Sequence, residues 1–534
     1  MSDGLCRPFC HRGENRLSLE RPPIPARRRQ IPPSELESPE SLLRAGRFAD
    51  AIAQAERRLK QTPHDAAAWS ALAMSLFAAR RPEDAIIAWD RALALVPDAP
   101  DALCGKARIL QDTGRVEEAK ALYQRALARE PDRFDAAFGL ALLATEAGDW
   151  TEADRWAAPL RARHPDAPAL AWLSARVALG RGDAATAERQ LAALARDPRL
   201  GAEQRADALL MVSEALDALG RPPEAFAAAV AGKALQRSLF AERAAGREGA
   251  IARFERIEGW FAATDPAPWQ APPLAIPAAG QADSHAFLVG FPRSGTTLLE
   301  QALAGHSRVA ALEEAPTLAA AHAEFMSTPQ GLERLARLTP AEAAPWRARY
   351  WADVAGYGVK TAGRLFLDKA PAGTVDLPLV AKLFPDARIL FAVRDPRDVT
   401  LSCLRNNFQL NAMTYAFTDL AQTAGCYAAC MTMAETYRRV LPLKVLDVRH
   451  EALIAGFGRG LAEVCRFLGI APEPAMSDVA RTANRRSVRT PSAQQVRAGL
   501  NRKGLARWRS YEAELAPVLP VLEPWVGRFR YDRD

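Results

Sequence analysis

The sequence predicts two architectures in one chain, an α region followed by an α/β region. Three observations predict it. Proline recurs with a period of 34 residues through the first half, at Pro63, Pro97, Pro131 and Pro165. Residues 286–305 run from a short apolar strand through a glycine loop into a helix whose leucines fall on one face. Two further apolar stretches, 387–393 and 443–448, read as strands that end in charged loops. A chain of 534 residues is too long for one core, so two or three domains are expected.

Residues 1–35 hold seven arginines and several prolines with few apolar side chains, and read as a disordered basic leader. No apolar core of a secretory signal is present in them. Cys6-x3-Cys10-His11 lacks two further ligands at zinc spacing, so no metal is expected. The seven cysteines are scattered and odd in number, which fits reduced thiols in a cytoplasmic protein. Cys426 and Cys430, at i and i+4, read as small apolar side chains. A net charge of +7 spread along the chain suits an anionic ligand without demanding nucleic acid. No stretch approaches the ~20 apolar residues of a membrane span.

Residues 36–240 carry the repeats. Gly46, Gly114, Gly148 and Gly182 keep the period of the prolines, with Arg80 in the missing slot. Five residues beyond each lies an alanine: Ala51, Ala85, Ala119, Ala153 and Ala187. Gly220 and Ala225 repeat the pair after a slightly longer step. Helix, glycine turn, second helix, then proline is the tetratricopeptide pattern, and alanine marks where paired helices cross closely. Trp69, Leu72, Trp89, Ala92, Tyr123 and Ala126 occupy the register of that repeat. Stacked repeats offer a concave face suited to an extended peptide or protein, a spacer or dimerisation arm being the alternative. Residues 241–282 read as a connecting helix and a Pro-rich linker, and 283–534 as the second domain.

Strand, glycine loop and helix aim backbone N–H groups and a helix N-terminus at an anion. Gly290-x4-Gly295 has the spacing of the nucleotide triphosphatase loop, and Thr297 takes the place of its Ser/Thr. Thr296 stands where those proteins have lysine, and Arg293 lies inside the loop. A phosphotransferase would need that lysine and a magnesium-bound hydroxyl. The reading is therefore an oxyanion cradle for a donor with a phosphate but no magnesium-bridged triphosphate. Arg394, at a strand end, and Ser402, two turns into the next helix, converge on one site.

At Pro292-Arg293-Ser294-Gly295-Thr296-Thr297 the chain resembles the sulfotransferase superfamily, and within it the tyrosylprotein sulfotransferases and bacterial proteins that join tetratricopeptide repeats to such a domain. The resemblance covers about residues 283–530 and implies an α/β fold with a parallel sheet flanked by helices. It implies 3′-phosphoadenosine 5′-phosphosulfate as co-substrate, held by the loop residues, with Arg394 and Ser402 on the 3′-phosphate. It makes Glu314 the general base, with Glu313 in reserve one residue away and His306 nearby, because other members use histidine. By the same resemblance Lys369 contacts the bridging and sulfuryl oxygens, and Ser492 stabilises the transition state in a closing loop that includes Gln495 and Val496. The chain departs from the pattern at His450 (usually tyrosine), at Asn406 (usually arginine, with Arg405 beside it) and at Arg507 (usually lysine). The expected acceptor is a hydroxyl, with a protein tyrosine presented by the repeats as one form. The alternatives are a small-molecule or carbohydrate acceptor, and an interaction protein with an inactive transferase domain. Retention of Arg293, Glu314, Lys369, Arg394, Ser402 and Ser492 in register argues against the last.

Overall fold

The computed structural model describes residues 38–79, 81–270, 280–486, 496–497, 499–500 and 504–531. The basic leader lies outside them, as does the central part of the Pro-rich linker. Contacts divide the chain into two compact units, one over residues 18–190 and one over residues 191–534.

The first unit is helical, with the expected alternation. Helices Pro100–Thr113 and Val116–Arg129 make one pair, and Phe134–Ala147 and Trp150–Arg163 the next. Ala51, Ala85, Ala119, Ala153 and Ala187 are all fully buried. The period also explains an aromatic fit between helices. A Cβ at Gly105 would strike the Trp89 ring, and one at Gly139 would strike Tyr123. Both the rings and the glycines are 34 residues apart, so one packing unit is used twice.

The second unit opens with a last repeat-like hairpin, Ala202–Ala218 and Pro222–Ala244, whose second helix runs to 23 residues. Helix Ala250–Ala263 follows, then the short turn of helix Ala267–Gln270. Trp269 of that turn is buried against Phe261, and Lys382 donates to the Pro268 carbonyl at 2.5 Å. This end of the linker segment is thus docked rather than free.

Five strands form one parallel sheet: β1 (Ser284–Gly290), β2 (Val309–Glu313), β3 (Leu365–Lys369), β4 (Arg388–Val393) and β5 (Lys444–Arg449), in the order β2-β3-β1-β4-β5. The central strands are apolar because helices cover both faces. Ala286, Leu288, Leu367 and Leu390 meet Leu299, Leu303 and Val464 in a buried cluster. Every strand is parallel, so Gly290, Glu313, Lys369, Arg394 and Arg449 emerge at the same end. From β1 the chain crosses outward to β2 and returns to β3 on one side, then passes from β3 over β1 to β4 and β5 on the other. Such a switch beside β1 opens a crevice at the strands' carboxyl ends.

Candidate active site

The loop after β1 is held from three sides. Gly290 lies so close to β4 that a Cβ there would sit 2.6 Å from the Ala392 carbonyl oxygen. Phe291 turns inward between Phe417 and Tyr427, with ring centroids 5.6 and 5.1 Å away. Thr374 donates its hydroxyl to the Gly290 carbonyl at 2.6 Å. Arg293 and Gly295 take left-handed backbone, at φ 72° and 92°. The loop then enters helix Thr296–Ala304, with Ser294, Thr296 and Thr297 buried. The positive N-terminal end of that helix suits an anion.

Arg394 and Ser402 both close on Arg293. Arg293 Nε donates to Ser402 Oγ at 2.9 Å, and Arg394 Nη1 donates to the Arg293 carbonyl at 3.0 Å. Arg394 Nη2 donates to the Gly504 carbonyl at 2.5 Å, while its Nε is buried without a partner. The carboxylate of Asp398 stands 3.8 Å from Arg394, and burial pushes its pKa up to about 6. Burial, and then Arg394, draw Arg293 down to about 10. Two guanidiniums are therefore buried side by side, with the Asp398 carboxylate beside Arg394, a setting in which an added anion is favoured.

A second cluster lies at the ends of β2 and β3. Lys369 is fully buried, with Nζ 2.8 Å from Glu314 Oε1 and 3.1 Å from Glu313 Oε1. Burial pulls its pKa down, but Glu314, Glu313 and Glu300 outweigh that and raise it, so the ammonium stays charged. Glu314 has left-handed backbone at φ 48° and donates its N–H to the Lys369 carbonyl at 2.7 Å. A glutamate held in that conformation carries strain of about 1–3 kcal/mol, a feature that concentrates at functional sites. Its side chain is 46 % exposed against 15 % for Glu313, which makes Glu314 the more accessible carboxylate. His306 has both ring nitrogens engaged, one with the Ala471 carbonyl and one with the Arg308 N–H, each at 2.9 Å.

Sequence reasoning passed over Glu300, which is fully buried on the loop helix. Arg486 donates to it at 2.8 Å and to the Ala311 carbonyl at 2.9 Å, joining that helix to β2. A carboxylate inside the stripe Leu298-Leu299-Glu300-Gln301-Ala302-Leu303 was the available signal.

His450 opens helix His450–Ala455 after β5, and a Cβ at Gly295 would overlap its ring. Its Nδ1 is buried without a partner, and burial, then Arg394 and Arg293, push its pKa down to about 3. The imidazole is neutral and lies on the loop. Val496 has its side chain in the apolar cluster beneath the sheet end. Arg507 is not drawn into the arginine cluster; its guanidinium pairs with Asp217 of helix Ala202–Ala218. Arg405 likewise turns to that helix, 3.3 Å from Asp217, whereas Asn406 faces Ser402. Ser492 and Gln495 lie outside the described residues. Among the described residues, no cluster of His, Cys, Asp and Glu is arranged to hold a metal ion, and no helix is long and apolar enough to cross a membrane.

The chain thus has a parallel α/β sheet with an arginine-bearing glycine loop at its switch point, and residues 286–474 match the family model described as the sulfotransferase family. Those residues are a sulfotransferase-family domain, and residues 40–100 and 110–177 are tetratricopeptide repeats. An uncharacterized protein of Aquifex aeolicus (strain VF5) is 26 % identical over 244 residues, 44 % of this chain. The chain spans 32 % of the length of that relative. Among solved structures, the sulfotransferase domain of the Synechococcus PCC 7002 olefin synthase is 22 % identical, covering 48 % of this chain and 98 % of its own, with a TM-score of 0.29. A Mycobacterium avium sulfotransferase is 13 % identical over 64 % of this chain and 95 % of its own, with a TM-score of 0.30. PilW, a type IV pilus biogenesis factor, is 21 % identical over 38 % of this chain and 94 % of its own, with a TM-score of 0.34.

Proposed function

We propose that residues 283–530 are a sulfotransferase that moves a sulfuryl group from 3′-phosphoadenosine 5′-phosphosulfate to an acceptor hydroxyl, without a metal. The observation that carries this reading is the pair of buried guanidiniums, with Arg394 Nε unpartnered, beside a phosphate loop that has threonine in place of lysine. A donor with a second phosphate on its ribose fits that pair of buried guanidiniums, and a magnesium-chelated triphosphate does not fit a loop without its lysine.

The co-substrate supplies a sulfuryl group already activated by its bond to phosphate. In this reading Arg293, Ser294, Gly295, Thr296 and Thr297 hold the phosphosulfate end, and Arg394 with Ser402 holds the 3′-phosphate. His450 adds a hydrogen bond over Gly295, and Gln495 and Val496 belong to the closing segment, whereas Arg507, in the place of the family's lysine, is engaged with Asp217. Lys369 is charged and dehydrated, the state in which it best stabilises negative charge growing on the leaving phosphate oxygen. Glu314 accepts the acceptor's proton as its oxygen attacks sulfur, and Ser492 supports that transition state. A sulfur–oxygen bond to the acceptor forms as the one to phosphate breaks, and adenosine 3′,5′-bisphosphate leaves. Within this reading we assign the acceptor as a tyrosine in a peptide or protein carried by the repeats, on the strength of a glutamate rather than a histidine at the base position.

Calorimetry on the full chain tests the donor: adenosine 3′,5′-bisphosphate should bind with or without magnesium. Binding of ATP·Mg with no response to the bisphosphate would refute the reading. Labelled donor incubated with host lysate tests the acceptor, and label confined to small molecules or glycans would reject the tyrosine assignment alone.

A further inference from the structure

The hairpin Ala202–Ala218 and Pro222–Ala244 grips three consecutive residues, 405–407, at the C-terminal end of the helix bearing Ser402 (Pro396–Arg405). Arg405 donates to the Ser213 carbonyl at 3.2 Å and to its hydroxyl at 3.3 Å. Lys233, fully buried, donates to the Asn406 carbonyl at 2.6 Å. The Asn407 amide is satisfied at both ends, donating to Asp207 and accepting from Gln236, each at 2.7 Å.

What this grip orients is Asn406. Its Nδ2 lies 2.7 Å from the Ser402 carbonyl and 3.2 Å from Ser402 Oγ. A carbonyl only accepts, so the amide nitrogen must face Ser402, and it donates to the hydroxyl oxygen as well. Arg293 Nε donates to the same oxygen at 2.9 Å. A serine hydroxyl has two acceptor sites and one proton. Both acceptor sites of Ser402 are therefore taken, and among the described residues the hydroxyl donates to none. Its proton is left for an incoming anion.

Resting on the function proposed above, we propose that Asn406, held from behind by Lys233, is a positioning residue that aims the Ser402 proton at the donor's 3′-phosphate, so that the hairpin is a working part of the nucleotide site. The same geometry accounts for the absence of arginine at position 406. The amide fills both acceptor sites of Ser402 together with Arg293, while Arg405 serves the hairpin.

The test uses the full chain and two probes, adenosine 3′,5′-bisphosphate and adenosine 5′-monophosphate, titrated by calorimetry. Asn406→Leu and Ser402→Ala should each weaken the bisphosphate about tenfold and leave the monophosphate unchanged. The double variant should bind no more weakly than Ser402→Ala, because one variant already removes what the other supplies. Lys233→Met provides a second route. Burial holds the Lys233 amine down to about 7, so an apolar side chain of similar length should be tolerated. It should still weaken the bisphosphate about threefold to tenfold by freeing Asn406. Unchanged bisphosphate affinity in Asn406→Leu and Lys233→Met overturns the proposal. So does a double-variant loss equal to the product of the single losses, or an equal loss for both probes. A wild-type chain that does not distinguish the two probes would instead defeat the donor assignment itself.

Discussion

Arg394 spends two of its nitrogens on backbone carbonyls, those of Arg293 and Gly504, and keeps Nε unpaired in a buried place. Arg394→Ala should therefore cost bisphosphate affinity about 1.5–3 kcal/mol, the range for a hydrogen bond to a charged group. Turnover at saturating donor should change far less, because the contact acts on ground and transition states alike. An unchanged affinity by calorimetry would show that Arg394 serves only the loop. Glu314→Gln should do the opposite, lowering turnover by about 10²–10⁴-fold while bisphosphate affinity survives. Asp368, next to Lys369 but on the other face of β3, is a different case. It accepts from Thr317 at 2.8 Å and Tyr350 at 2.7 Å, and burial raises its pKa to about 6. The folded chain thus binds a proton at Asp368 that the unfolded chain has already released above about pH 4. Stability from this group is complete at low pH and is lost as pH rises from about 4 to 6, by up to about 3 kcal/mol. Asp368→Asn should then be more stable than wild type at pH 8, with the advantage shrinking toward pH 5, as urea denaturation at both values can measure.

Among elements, the loop and its helix were legible because two glycines, a proline and hydroxyls between apolar runs leave few alternatives to a strand–turn–helix. β2 was not. Val309-Ala310-Ala311-Leu312 has the composition of a helix as much as of a strand, and hydrogen bonding to β3 decides it, with Val309 opposite Leu365 and Glu313 opposite Lys369. That register is what sets both glutamates on one ammonium. Gly295 binds element to element, because its left-handed φ of 92° and the His450 ring above it both exclude a side chain. Gly295→Ala should therefore cost about 1–2 kcal/mol in backbone strain alone and lose bisphosphate binding. Adding His450→Gly should recover part of the binding by removing the overlap but not the strain. Full recovery in that double variant would mean that backbone conformation is unimportant there.

At the scale of the molecule, the boundary between repeat and transferase falls within the repeats rather than after them. The hairpin 202–244 belongs to the unit of residues 191–534, where Asp217 takes Arg405, Arg507 and Tyr511 together. A chain beginning at residue 191 should keep bisphosphate binding. One beginning at 283 exposes Arg405, Asn407 and Tyr511 without their partners and should bind poorly or aggregate. Equal binding by the two fragments would reduce the hairpin to a spacer.

The sequence alone determined whatever depends on local pattern. A 34-residue period specifies helix pairs because every pair needs the same turn and the same small residue at its crossing. A glycine loop with Thr296 in place of a lysine and Arg293 inside it reads as an anion cradle of unusual chemistry. Tertiary structure decided which distant groups meet. Lys369 is surrounded by Glu300, Glu313 and Glu314, 69, 56 and 55 residues away, only because β2 and β3 pair in one register and the loop helix packs on them. Lys233 reaches Asn406 across 173 residues for the same kind of reason. No spacing announces such contacts, since a hydrogen bond between remote residues depends on how whole elements pack and leaves no periodic trace in either segment.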